Sequence, residues 1–282
     1  MDDLSAKTRE ICKMLEITPT RSKGQNFLIN EKIYDEIVAA AELKSDETVL
    51  EVGPGLGFLT MKLAKQVKKV VAVELDDQLA NYLQMGIDAA GIDNVTIVNE
   101  DILRFNLDSY FTSDQTAYKI VANLPYNITS IFLRRFLTAT HKPQSLVLML
   151  QQEVAERIVA TPPDMSMLAV SVQYYAAAKI IRIVKAGNFW PEPEVDSAII
   201  KLEIRPQAYE ASTDKRFFRV VKFGFSAKRK MLKNNLAAGL HLEPQIIDDI
   251  LLKQGFNPKI RAENLSLQDW QKLFAALEPF VI

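Results

Sequence analysis

Thr48-Val49-Leu50-Glu51-Val52 runs straight into Gly53-Pro54-Gly55-Leu56-Gly57, and a helical pattern, Leu59 to Gln66, begins at once on the far side. The first five residues form a short apolar and β-branched run of strand length. The three glycines permit a tight turn and a close approach of backbone to a ligand. A strand, a glycine turn and a helix in that order form the first half of a βα unit, whose crevice opens at the carboxyl end of the strand. The spacing is G-x-G-x-G and differs from the G-x-G-x-x-G of a dinucleotide fold.

Working outward, the same alternation recurs. Candidate strands are Thr48 to Val52, Val70 to Leu75, Val95 to Asn99, Lys119 to Ala122, Ser145 to Leu150, Ile180 to Val184 and Ala198 to Ile204. Helical periodicity falls between them at Glu31 to Ala41, Leu59 to Gln66, Gln78 to Ala90, Ser130 to Ala139 and Gln152 to Val159. Alternating strands and helices predict an α/β fold with a doubly wound, mostly parallel, seven-stranded Rossmann-like sheet. Only the Pro-containing loop Asn188 to Pro193 separates the last two strands, too little for a crossover helix, so an antiparallel pair at or near a sheet edge is expected. After Arg205-Pro206 the pattern turns helical with joints at Gly239, Gly255 to Pro258 and Ser266. This predicts a catalytic domain over 1–206 and a small all-helical domain over 207–282.

Composition fits a folded chain of this kind: 282 residues, 48% hydrophobic and 24% charged. One cysteine, Cys12, and two histidines, His141 and His241, are too few for an intrachain disulfide framework or a His/Cys metal cluster, so no metal is expected. The longest charge-free stretch, Met165 to Ala178, is too short and too polar for a spanning helix. The first residues carry two acids and no apolar run behind a basic head. A cytoplasmic, non-membrane protein is expected.

The net charge of −1 hides an asymmetry. Residues 201–282 carry 14 basic and nine acidic residues, and residues 1–200 carry 20 and 26. Between Lys215 and Leu242 stand eight basic residues and no acid. Such a density suits either a phosphate backbone or a solvated helix face.

Further chemistry sits at the ends of the next strands. Glu74 closes the second strand about twenty residues beyond the glycine turn, where a carboxylate can accept both hydroxyls of an adenosine ribose. Asp101-Ile102 follows the third strand and completes a nucleoside-shaped crevice. Asn123-Leu124-Pro125-Tyr126 follows the fourth. An exocyclic adenine amine is a poor nucleophile, because its lone pair is delocalised into the ring. The Asn123 side-chain oxygen and the Leu124 or Pro125 carbonyl can each accept one amine hydrogen, favouring a tetrahedral nitrogen, while Tyr126 stacks on the base. This suits methyl transfer from a sulfonium.

With these motifs in hand, the sequence resembles the ribosomal RNA adenine N6-dimethyltransferases over nearly its whole length. Gln25-Asn26-Phe27-Leu28 matches the family's entry motif, which contacts the methionine end of S-adenosylmethionine. Glu51 to Gly57, Glu74 with Leu75, Asp101 with Ile102, and Asn123 to Tyr126 match its cofactor and target-amine motifs in order. Phe189-Trp190-Pro191-Glu192-Pro193-Glu194-Val195-Asp196-Ser197 resembles the F-x-P-x-P-x-V-D-S segment, whose leading phenylalanine helps hold the target adenine. Phe223 to Leu236 resembles the basic region that the family uses on ribosomal RNA.

The resemblance implies an S-adenosylmethionine-dependent methyltransferase, releasing S-adenosylhomocysteine, that dimethylates N6 of two adjacent adenines near the 3′ end of small-subunit (16S) ribosomal RNA. Asn123, Leu124, Pro125, Tyr126 and Phe189 are its implied catalytic residues. Gln25, Asn26, Leu28, Glu51, Gly53, Gly55, Gly57, Glu74, Leu75, Asp101, Ile102 and Asn123 are the implied cofactor contacts. Arg219, Lys222, Lys228, Arg229, Lys230 and Lys233 are the implied RNA contacts. The implied partner is small-subunit ribosomal RNA within the small subunit or its precursor, met by a monomer. Alternatives are the macrolide-resistance type acting on large-subunit ribosomal RNA, and a nucleic-acid-binding transcription factor on the same fold. Asp196 reads as a turn or strand-end anchor, Glu153 as a helix surface residue and Cys12 as a small buried hydrophobe.

Overall fold

The computed structural model describes residues 4–19, 26–111, 117–206 and 211–281. In chain order the elements are α1 (Leu4–Met14), β1 (Phe27–Leu28), α2 (Glu31–Ala41), β2 (Thr48–Val52), α3 (Phe58–Ala64), β3 (Lys69–Glu74), α4 (Asp77–Ala89), β4 (Val95–Asn99), β5 (Tyr118–Asn123), α5 (Thr129–Leu137), β6 (Ser145–Gln151), α6 (Gln152–Val159), α7 (Met167–Tyr175), β7 (Ala176–Val184), β8 (Phe189–Trp190), β9 (Ser197–Ile204), α8 (Ala211–Gly224), α9 (Leu232–Leu240), α10 (Pro244–Lys253) and α11 (Leu267–Leu277). They divide into two compact units, Met1–Ala155 with Ala178–Ile204 and Glu156–Ala177 with Arg205–Ile282.

The first unit holds a seven-stranded sheet in the order β4-β3-β2-β5-β6-β9-β7. From β2 the chain winds outward through β3 and β4, then returns to the other side of β2 as β5 and β6, all these neighbours pairing in parallel. The reversal of strand order falls between β2 and β5, where open α/β sheets place their ligands. Register brings the motif-bearing ends level: Val52 lies opposite Val73 and Ala122, and Glu74 opposite Asn99. All five residues of β2 are buried, as expected for a strand covered on both faces. β9 runs antiparallel to β6, from Ser145 opposite Glu203 to Gln151 opposite Ser197. β7 takes the edge beside it, at the position expected for the late strands.

Local chemistry places the helix starts. Asp76 caps α4, its Oδ1 accepting from Gln78 N at 3.1 Å and Leu79 N at 3.3 Å. Asn30 caps α2 in the same way through Lys32 N. Gly57 precedes α3 in the left-handed region at φ 81°, where a Cβ would stand 2.4 Å from Leu83 Cδ1.

The second unit is helical, with a core of Phe217, Val220 and Val221 from α8, Leu232 and Leu236 from α9, Ile247 and Leu251 from α10, and Trp270, Leu273 and Leu277 from α11. Met165, Ala169 and Val170 join this core. The helical unit therefore draws in residues 156–177, which contiguous reading of the sequence assigned to the 1–206 domain. The charge-free stretch around α7 buries its apolar side chains against helices that follow it by forty residues and more, a long-range contact that no local pattern marks.

Candidate active site

A cavity of about 410 Å³ opens at the carboxyl ends of β2 to β5. Its walls bring together Asn26, Leu28, Glu51, Gly53, Gly55, Glu74, Leu75, Asp101, Ile102, Asn123 and Pro125, most of the cofactor and target-amine residues that the sequence singled out. Gln25 lies outside the described residues. Gly57, Leu124 and Tyr126 are not part of the wall. Phe27, Tyr34, Phe58, Asp76, Glu100 and Asn127 also line the cavity. Of these only Phe27 carried a sequence signal, as part of the Gln25 to Leu28 motif.

The strand pair β1 and β8 closes one side of the fold around this motif. Phe27 pairs with Trp190 and Leu28 with Phe189 in an antiparallel two-stranded ribbon. Ile29 N donates to Asn188 O, and Asn30 Nδ2 donates to Asn188 Oδ1, both at 2.8 Å. Two motifs 160 residues apart in the chain are thus one structural piece. α1 packs against it: Ile11 and Cys12 form a cluster with Leu56 and Leu79, edged by Phe27, Phe58 and Trp190. Cys12 is buried, and burial pushes its thiol pKa up, as for an inert apolar residue.

Two carboxylates face the crevice from different depths. Glu74 is buried, yet both oxygens are engaged: Oε2 accepts from Gly55 N and Oε1 from Asp76 N, each at 3.0 Å. Burial raises its pKa, and these amide hydrogens offset part of the rise. Each oxygen keeps a lone pair for a hydroxyl donor. Glu51 is 1% exposed and neither of its oxygens has a hydrogen-bond partner. Burial pushes its pKa up to about 8; the nearby Thr60 hydroxyl, which falls short of hydrogen-bond geometry, offsets part of that, and the charge of Glu74 adds to it. Tyr34 donates its hydroxyl to Leu28 O at 3.0 Å, and burial with the charge of Glu51 holds its phenol pKa high. Asp101 Oδ1 accepts from Leu103 N at 2.9 Å, which fixes the turn after β4.

The end of β5 carries the Asn123 to Tyr126 motif. Asn123 Nδ2 donates to Asn26 O at 3.4 Å, an assignment that turns the amide so that Oδ1 remains an acceptor. Leu124 is buried and its N–H donates to Met149 O at 3.3 Å. Tyr126 begins a single 3₁₀ turn, and its hydroxyl lies 2.7 Å from Ser197 Oγ. Burial raises the Tyr126 pKa, and the Ser197 hydrogen bond lowers it in part. Phe189 is 3% exposed and packs in the core with Leu28, Met149, Val184 and Ile199, outside the cavity wall.

Asp196 holds the loop before Phe189, its Oδ1 accepting from Ala186 N at 2.9 Å and its Oδ2 from Lys185 Nζ at 2.7 Å. It is the strand-end anchor the sequence suggested. Glu153 is exposed in the first turn of α6.

In the helical unit, Arg219, Lys222, Lys228, Arg229 and Lys230 are exposed on α8 and the turn after it. Arg219 lies over the Phe223 ring, 5.7 Å from its centroid. Buried Asn235 ties that turn down, donating to Gly224 O at 2.7 Å and Ala227 O at 3.0 Å. Lys233 Nζ forms an ion pair with Asp248 at 2.7 Å. Among the described residues no group of three or more His, Cys, Asp or Glu side chains is placed to hold a metal ion. None of the described helices is long and apolar enough to cross a membrane.

Comparison with known proteins agrees with this geometry. The family model described as ribosomal RNA adenine dimethylase matches residues 18–278. A ribosomal RNA small subunit methyltransferase A from Dehalococcoides mccartyi (strain CBDB1) is 43% identical over 272 residues, covering 96% of this chain and 92% of the relative. Its counterpart from Clostridium botulinum (strain Okra / Type B1) is 38% identical over 269 residues, covering 94% and 96%. Among solved structures, a dimethyladenosine transferase from Plasmodium falciparum superposes with a TM-score of 0.79 at 26% identity over 90% of this chain and 98% of that one. The 23S rRNA methyltransferase ErmE does so with a TM-score of 0.74 at 27% identity over 90% and 100%.

Proposed function

The chain belongs to the ribosomal RNA adenine dimethylase family, and on that premise we propose that it dimethylates N6 of two adjacent adenines near the 3′ end of small-subunit ribosomal RNA. It is an S-adenosylmethionine-dependent methyltransferase acting on small-subunit ribosomal RNA, as its relatives' names and their near-full coverage support. The superpositions alone do not choose a ribosomal subunit, because a dimethyladenosine transferase and a 23S rRNA methyltransferase match almost equally well. The curated relatives favour the small subunit.

The observation that carries the chemical reading is the cavity joining Glu74, Glu51 and Asn123 at the strand-order reversal. Its donor set fits the cofactor. Glu74 presents two backbone-oriented carboxylate oxygens to ribose hydroxyls, Asp101 and Ile102 border the base, and the unpartnered carboxyl of Glu51, protonated as its raised pKa dictates, suits an ammonium group once it gives up that proton. S-adenosylmethionine, when bound, supplies a methyl group on a sulfonium. Asn123 Oδ1 and a carbonyl of the Leu124-Pro125 turn accept the two hydrogens of the target amine. That holds the nitrogen lone pair outward and stabilises the positive charge it acquires. Tyr126 supplies a face for the base, which must first leave its stacked loop. Phe189 shapes the slot from the core side. Arg219, Lys222, Lys228, Arg229 and Lys230 track RNA phosphates. The chain works as a monomer in the cytoplasm, on the small subunit or its precursor.

Incubation with labelled S-adenosylmethionine and unmethylated small and large subunits, followed by mapping of modified nucleotides, tests this reading. Label in two adjacent adenines of the small subunit is the expected result. Label confined to the large subunit overturns it.

A further inference from the structure

We propose that Ser197 is a positioning residue for methyl transfer: its hydroxyl, bonded to that of Tyr126, sets the plane of the ring on which the target adenine stacks. The inference rests on the methyltransferase reading above and adds to it a residue remote in sequence from the target-amine motif. Ser197 and Tyr126 are 71 residues apart in the chain. Ser197 is fully buried at the first position of β9, opposite Gln151 of β6. A serine there has no packing advantage over alanine, and an unpaired buried hydroxyl is costly. The contact with Tyr126 at 2.7 Å satisfies it.

The support under Ser197 is rigid. Its neighbour Asp196 is clamped at both ends, its carboxylate by Lys185 Nζ and Ala186 N and its carbonyl by Gln152 N at 2.9 Å. Tyr126 stands at the head of α5, in a three-residue 3₁₀ turn, Tyr126–Ile128, that leads directly into the helix at Thr129. Two rotatable bonds separate its ring from that turn. Pinning the hydroxyl to the sheet removes that freedom before substrate arrives, so that less ordering is left to the moment of reaction. A misplaced ring tilts the adenine and moves its amine off the line of attack. The effect belongs to turnover and to RNA use, and not to cofactor affinity.

The test is a double-mutant cycle of Ser197→Ala and Tyr126→Phe, read by single-turnover methyl transfer to unmethylated small subunits, with S-adenosylmethionine affinity from calorimetry and the unfolding midpoint alongside. Phenylalanine keeps the stacking face and loses only the hydroxyl. Ser197→Ala is expected to slow transfer about three- to ten-fold, the range of one net hydrogen bond, at unchanged cofactor affinity. In the Tyr126→Phe background the same change is expected to cost nothing more. Wild-type transfer by Ser197→Ala overturns the proposal, as does a loss of equal size in both backgrounds, or a parallel fall in cofactor affinity. If Ser197→Ala proves poorly folded, the Tyr126→Phe chain decides alone: transfer at the wild-type rate overturns the role of the hydroxyl pair. Absence of adenine methylation by the unaltered chain overturns the activity itself, and this inference with it.

Discussion

Gly55 donates its backbone N–H to Glu74 Oε2 at 3.0 Å, so the glycine turn after β2 and the acid at the end of β3 are one hydrogen-bonded device. The carboxylate is aimed by the turn, and the turn is held by the carboxylate. At φ 56° Gly55 sits in the left-handed region, and a Cβ there would meet the Phe27 ring at 3.3 Å. The close fit of β1, turn and acid builds the crevice wall from three separate stretches of chain.

Glu74→Ala is expected to weaken S-adenosylmethionine binding, because ribose hydroxyls lose a charged acceptor worth ~1.5–3 kcal/mol per bond. It also leaves Gly55 N and Asp76 N without their partner, so the unfolding midpoint falls as well. Calorimetric titration gives the affinity, and an unchanged value removes Glu74 from the cofactor site.

For Asn123→Ala the loss should appear in turnover far more than in cofactor affinity. Removing a group that stabilises developing charge costs ~2.7–4 kcal/mol, or roughly a hundred- to thousand-fold in rate. Single-turnover transfer to unmethylated small subunits reads it, and a near-normal rate excludes Asn123 from the chemistry.

Glu51 predicts a pH dependence of stability. Its pKa is raised from 4.5 to about 8 by burial, so the native chain holds a proton that the unfolded chain releases between those values. Native stability is therefore lost as pH rises from about 4.5 through about 8. Glu51→Gln should abolish this component, and its advantage in unfolding midpoint over the unaltered chain should widen across that window. Parallel midpoints at all pH values would show that Glu51 is not protonated in the native state.

The basic turn divides by its contacts. Changing Lys228, Arg229 and Lys230 together to Ala should flatten the slope of log affinity for the small subunit against log salt by roughly 2 to 3, at ~0.7–0.9 per phosphate. Lys233→Ala should leave that slope nearly unchanged and lower the unfolding midpoint, because Lys233 neutralises half-buried Asp248. Binding at several salt concentrations separates the two, and an equal effect of Lys233 on the slope would place it on RNA.

Much of this was legible in the chain. β2 and β4 stand where periodicity put them, and β3 and β5 differ by one residue at their ends, because a short buried strand marks itself by a run of apolar residues that the next glycine or polar residue ends. Glu51, Gly55, Glu74, Asp101 and Asn123 were found together because each sits at a strand's carboxyl end, and parallel winding carries all such ends to one edge. Other features were out of reach. The two-residue strands β1 and β8 are too short to carry a period, and only pairing between them gives them strand geometry. α7 joined the helical core, Lys233 met Asp248, and Ser197 met Tyr126, through contacts whose partners lie from 15 to about 110 residues away in the chain. The sequence by itself determined which elements form and what chemistry their ends carry, since propensity, turn sterics and residue type are local. Only the tertiary structure decided which side chains pair, which are buried and which remain free to bind, because those outcomes depend on packing between segments that no local pattern joins.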